Sequence, residues 1–319
     1  MTSLRLVPAV RVLAHRAPGR AATVRQGELP PAKIRPWSEA PDPAELASLV
    51  PGRFPLAVEV LAGDAAEVKA LLVAAYSAKP DEIAREVLGQ IAVEFTGYRD
   101  LLRLTVAAEP GGPASDEVHL VARAEDGSAC CLSLTAADRD APTVSPAYLA
   151  DVAAVLGEYV WLSNNDRLDV TVATETHGLG TAERVPAWWS SSATSARLLT
   201  ELWDEEPPIA LLDEVTLTGF RADFTRHNLD YARSGAWAAQ LIDDYDVDDD
   251  PQPRFPGDRL VELLTAELLD GAAALAGGPG LVYGLGLPTE VARNEDGIVA
   301  VVLFAGPERV TAVAISAAV

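Results

Sequence analysis

Two stretches of this chain share one order of elements, and that order limits the fold more than any other feature. Residues 82–92 carry Ile83, Val87, Leu88 and Ile91 at helical spacing, and apolar runs follow at 101–108, 117–123 and 128–135. Residues 258–276 read as another amphipathic helix, followed by runs at 281–287, 298–305 and 309–316. Each meander holds an Asp-Gly turn, Glu125-Asp126-Gly127 in the first and Glu295-Asp296-Gly297 in the second. Strands joined by turns this short run antiparallel. The expected class is therefore α+β, with antiparallel sheets of three-stranded meanders and packed helices. A pseudo-two-fold duplication would leave such a repeated order. Turn chemistry alone would also place Asp-Gly in both hairpins.

The rest of the chain fits around these blocks. Residues 4–13 read as a strand, and residues 18–55, with seven prolines from Pro30 to Pro55, as an extended loop-like region. A strand is expected over 54–61. Asp64 and Glu67 form a capping-box-like start for a helix to Tyr76. Ser145 and Pro146 open a helix to about 160. Residues 168–174 alternate like a strand. Helices are expected over 190–203 and 230–244, and a strand over 214–224. The 319 residues divide into an N-terminal α+β half, 1–160, and a C-terminal α+β half, 161–319, or form one continuous domain.

Composition excludes several partners. Asp and Glu number 47 against 25 Lys and Arg, a net charge of -22. Nucleic-acid binding rests on cations replacing condensed counterions, so a nucleic-acid partner is not expected. An anionic membrane surface is excluded on the same ground, and no apolar run approaches the ~20 residues that span a bilayer. Lysine occurs only at Lys33, Lys69 and Lys79. This arginine bias points to a GC-rich, actinobacterial genome. It also confines Schiff-base chemistry to the first 79 residues. The adjacent Cys130 and Cys131 make neither a disulfide framework nor a zinc site. They read as small core residues, and the protein as cytoplasmic.

Four groups of residues carry chemistry worth testing. His177 follows strand 168–174 in Glu175-Thr176-His177-Gly178-Leu179-Gly180, where Glu175 and His177 would act as acid and base in a loop closing over a ligand. His227 lies between Asp223 and Asp230, which would orient its imidazole, and Arg226 would bind an anionic group of the substrate. Trp188, Trp189 and Tyr283 would line an apolar pocket. Residues 243–250 hold six carboxylates, and oxygen ligands of this kind suit Mg²⁺. Asp243, Asp244 and either Asp246 or Asp248 are similar in spacing to the metal motif of class I terpene synthases. That motif wants its third acid at the fifth position, which here is Val247. His15 and His119 fall in expected strands and read as structural.

Three functions follow. The first is a cofactor-independent enzyme of small-molecule, specialised metabolism. It would be an isomerase, cyclase or lyase that moves protons with His177, His227, Asp223 or Glu175 and takes a small-molecule substrate. The second is a non-catalytic binding protein. Over residues 80–160 and 258–319, the order of helix, β-meander and helix resembles that of the type VII secretion chaperones of actinobacteria. The resemblance implies a pseudo-two-fold α+β fold that binds a helical protein partner. The Pro-rich segment 18–55 departs from that pattern. A Mg²⁺-dependent enzyme using the Asp tract is a third reading, separate from both of these. A homodimer is compatible with any of them.

Overall fold

The structure is a computed structural model. It describes residues 3–17, 19–29, 39–61, 63–77, 80–136, 143–160, 168–189, 191–193, 213–215, 222, 258–278, 281–285 and 297–318. The chain forms two compact units, Met1–Thr143 and Val144–Val319.

Unit one holds helix α1 (Ser3–Arg16), strand β1 (Arg20–Glu28), a 3-10 segment (Pro43–Leu49) and strand β2 (Phe54–Val60). Helices α2 (Ala65–Tyr76) and α3 (Glu82–Thr96) follow, then strands β3 (Asp100–Ala107), β4 (Val118–Arg123) and β5 (Ser128–Ala136). The five strands form one sheet in the order β1-β5-β4-β3-β2, antiparallel throughout. The expected cap of α2 is present, and α3 has one as well. Asp64 accepts from the amides of Ala66 and Glu67, and Asp81 from Ala84, so each satisfies donors left open at a helix start.

Both faces of this sheet are covered, and β4 is buried at all six positions. A strand buried on both faces loses the polar alternation of a half-exposed one. One face packs Leu102, Leu104, Val121 and Cys131 against Leu46, Leu49 and Val50 of the 3-10 segment and its end. That segment touches both edge strands, β1 and β2. It therefore lies across the face. Leu49 comes so close to β1 that a Cβ on Gly27 would sit 2.8 Å from its Cδ2. The helices serve the other face, with α1 on β1 and α2 on β5.

Two expectations are corrected here. Residues 4–13 belong to a helix. Leu6, Ala9, Val10 and Leu13 are buried, a spacing of three and four residues that sets one face of a helix. Its β-branched residues and Pro8 favour a strand, but packing against β1 and α3 overrides propensity. His15 consequently lies in the last turn of α1. Residues 20–28, read as loop, form β1, which pairs with β5 from Arg20↔Ala136 to Glu28↔Ser128. Its polar sequence suits an edge strand, and its order comes from the partner strand.

Unit two opens with helix α4 (Pro146–Val160) and strand β6 (Leu168–Thr176). Ser145 Oγ accepts from the Tyr148 amide at 3.1 Å, as the Ser-Pro start predicts. Helix α5 (Val185–Trp189), strand β7 (Asp213–Val215), helix α6 (Asp258–Leu275) and strands β8 (Leu281–Leu285), β9 (Gly297–Ala305) and β10 (Arg309–Ala318) follow. These strands form a second antiparallel sheet, ordered β6-β10-β9-β8-β7. Helix α4 packs on α6 and β6, so by contact it belongs with this unit. The Tyr148 hydroxyl donates to Glu267 of α6 at 2.8 Å.

The α+β class holds in both units. In each, the first strand lies at one edge beside the fifth, and the second lies at the other edge. In each, a helix precedes the first strand, and helix separates the second strand from the third. The helix expected over 230–244, and most of the helix over 190–203 and of the strand over 214–224, lie outside the described residues. Among the described residues, no helix is long and apolar enough to cross a membrane.

Candidate functional site

Five of the residues singled out by sequence meet on one face of the second sheet. The register aligns Tyr283, Leu303, Ala312 and Ala173 in one cross-strand row, and Leu281, Ala305, Val310 and Glu175 in the next. Directly paired residues point to the same face. Tyr283, Leu303, Ala305, Val310 and Ala312 form a buried cluster with Val185 and Trp189, and Trp188 and Leu179 pack against it. The chain that leaves β6 thus folds back over its own sheet and lays α5 on it. The Tyr283 hydroxyl donates to the Ala182 carbonyl at 3.3 Å, fastening this cover.

His177 is the hinge of the arrangement. The Leu179 amide donates to its Nδ1 at 3.1 Å. Nδ1 is therefore the acceptor, and the ring proton sits on Nε2, which donates to the Gly306 carbonyl at 3.0 Å. The His177 backbone amide donates to the Glu308 carbonyl at 2.9 Å. Gly178 and Gly180 adopt left-handed φ of 63° and 67°, which tighten the turn and let Leu179 reach back. The imidazole also meets Trp188, with ring centroids 5.6 Å apart and planes tilted by 60°. Both ring nitrogens are held by backbone, and neither partner is a carboxylate. Glu175 shares the face, two residues along β6, and its Oε2 is buried without a hydrogen-bond partner among the described residues.

His227, Asp223, Arg226, Asp243, Asp244 and Asp248 lie outside the described residues. No group of three or more His, Cys, Asp or Glu side chains is placed to hold a metal among the described residues. A cleft of about 620 Å³ lies at the hairpin end of sheet one, beside Glu28, Tyr98, Arg99, Glu125 and Asp126. None of the sequence-selected site residues lines it. Cys130 is among its lining residues, and burial pushes that thiol up to about 12 and its neighbour Cys131 up to about 11. Thiols so far from ionisation are inert structural groups.

Sequence reading missed a polar chain in unit one. Arg53, in the turn before β2, donates to both oxygens of Glu117, at 2.6 Å from Nε and 2.7 Å from Nη2. Glu117 Oε2 lies 3.4 Å from His119 Nε2. His119 Nδ1 is 2.7 Å from Ser133 Oγ, and Ser133 Oγ is 3.7 Å from Cys131 Sγ. With Nε2–H facing the carboxylate, Nδ1 accepts from the Ser133 hydroxyl. Burial pushes the His119 imidazole below its ordinary value, partly offset by Glu117, while the Arg53 hydrogen bond holds the Glu117 carboxyl below its own. Glu117 and His119, two apart around a strand start, were legible as one face. Arg53 and Ser133 were not, because only register brings them there.

Compared with known proteins, the chain matches no protein-family model, no curated protein and no solved structure.

Proposed function

We propose that this chain is a non-catalytic binding protein that takes a helical protein partner, in the manner implied by its resemblance to type VII secretion chaperones. The observation that carries the reading is the strand order shared by the two sheets, with helices at corresponding places. That layout is what the resemblance predicts, and an acid/base enzyme has no need of it. The engagement of His177 supports the same reading. A proton shuttle needs a nitrogen free to meet substrate, and both of its nitrogens meet main chain. A small-molecule enzyme would then have to rely on His227, Asp223 and Arg226, or on Mg²⁺ held by Asp243, Asp244 and Asp248.

Co-expression with a panel of two-helix proteins, followed by size-exclusion chromatography, tests the proposal. A stoichiometric complex is expected, and it should survive His177→Ala. That substitution removes two hydrogen bonds and one ring contact, so it should cost about 1–3 kcal/mol of stability without abolishing partner binding. The proposal fails if the chain elutes alone with every member of the panel. It fails equally if the chain consumes a small molecule from a metabolite extract and His177→Ala or His227→Ala stops that reaction while the protein stays folded.

A further inference from the structure

We propose that the Arg53–Glu117–His119–Ser133 chain is an acid-sensitive clasp, which holds the 3-10 segment Pro43–Leu49 and the start of β2 on sheet one at neutral pH and lets them lift as the pH falls. The inference concerns unit one and does not depend on which partner the protein takes.

The clasp ties together parts of the chain that local structure does not join. Arg53 sits between the 3-10 segment and β2, the edge strand. Its bidentate grip on Glu117 crosses over β3 to the start of β4. His119 and Ser133 extend the chain across β4 to β5, where they are direct register partners. Pro43–Leu49 lies across the same face, reaching from β2 to β1. The only stretch between this cover and the edge strand is the Val50–Arg53 turn, and the clasp holds that turn by one side chain.

Charge balance makes the clasp sensitive to acid. At neutral pH the Arg53 cation and the Glu117 anion cancel, and His119 is neutral between Glu117 and Ser133. Protonating His119 puts two cations on one carboxylate in a site where the imidazole is 3% exposed and the carboxylate 13%. An uncompensated buried charge is costly. No other group on this face relieves it among the described residues. Asp100 is engaged by Arg123. β2 and β3 contribute Val58, Val60, Leu102 and Leu104, and β5 contributes Cys131 and Ser133. β1 contributes Arg25, a further cation, which is exposed. The 3-10 segment contributes Glu45, which faces solvent.

The sign follows directly. Burial lowers the imidazole in the folded state, so below its ordinary value near 6.5 the open state binds the extra proton more readily. Opening becomes more favourable as the pH drops from that value toward the lowered one, and levels off below it. The lowered Glu117 carboxyl adds a second loss at lower pH, in the same direction. Water reaches His119 at least cost through the cover and the edge strand, because β3 and β5 are paired on both sides.

Hydrogen exchange of the full chain between pH 7.5 and 5, corrected for intrinsic rates, reads the clasp. Protection of amides in residues 43–60 should fall about tenfold for each pH unit by which burial lowers the imidazole, while β9 and β10 change less. His119→Gln keeps a neutral hydrogen-bonding side chain, and its protection over 43–60 should be flat across the same range. Glu117→Gln strips Arg53 of its carboxylate and should leave the segment poorly protected already at pH 7.5. A pH-independent wild type, or an unchanged pH response in His119→Gln, overturns the proposal. If that variant does not fold, NMR titration of the wild-type His119 ring decides alone. Titration at or above the ordinary histidine value sinks the clasp, and a lowered midpoint coinciding with exchange over 43–60 supports it.

Discussion

Replacing Asp100 by alanine should cost about 3–5 kcal/mol of folding stability. Asp100 and Arg123 are register partners on β3 and β4, facing the side of sheet one that carries His119. Their side chains are 1% and 7% exposed. Arg123 Nε donates to Asp100 Oδ2 at 2.8 Å, and Nη2 donates to the same oxygen. The guanidinium cannot shed its proton in a protein. Without the carboxylate its charge stays in a site built around a pair, and that penalty exceeds the pair's own net contribution. Urea denaturation checks the effect. The midpoint should fall with the slope unchanged, because the surface exposed on unfolding is the same. A double replacement, Asp100→Leu with Arg123→Met, should recover most of the loss by removing both charges. A loss below about 1 kcal/mol in Asp100→Ala would mean that water reaches the pair and that it behaves as a surface bridge.

The parts of the fold that could be read from sequence are those set by local chemistry. Asp64, Asp81 and Ser145 cap helices because their side chains reach amides two or three residues on. The Asp126-Gly127 turn holds because Asp126 accepts from both the amide and the hydroxyl of Ser128. What could not be read depends on distant partners. β1 is polar enough to pass for loop, and only its register with β5 makes it a strand. α1 carries β-branched residues and Pro8, and only packing on β1 and α3 makes it a helix. The candidate site divides along the same line. The spacing of Glu175 and His177, and the aromatic run at Trp188 and Trp189, marked residues that do share one face. The role of His177 was not legible, because its partners are a main-chain carbonyl 129 residues away and an amide positioned by the turn. Backbone partners leave no trace in side-chain identity.

Gly306→Ala should destabilise the protein by about 3 kcal/mol or more, through overpacking together with broken hydrogen bonds. A Cβ at this position would lie 2.0 Å from the Ala276 carbonyl oxygen and 3.3 Å from that of Arg309. Both are main-chain atoms, so no side chain can swing aside to make room. Ala276 follows α6, and Arg309 opens β10. The Gly306 amide donates to the Arg309 carbonyl at 2.8 Å, closing the turn between β9 and β10, and the Gly306 carbonyl accepts from His177 Nε2. One residue without a side chain thus joins the end of a helix, a hairpin turn and the loop that lays Trp188 and Trp189 over the sheet. Inserting a methyl group must displace at least one of the three. The displacement should be visible as a changed Trp188 environment in fluorescence, beside the fall in melting temperature. Combining Gly306→Ala with His177→Ala separates the two accounts of His177. If the histidine acts by tying the loop to Gly306, the two losses overlap, and the double variant costs less than their sum. Strict additivity would mean that the imidazole works independently of that bond, and its service elsewhere, as an acid or base included, would return to consideration.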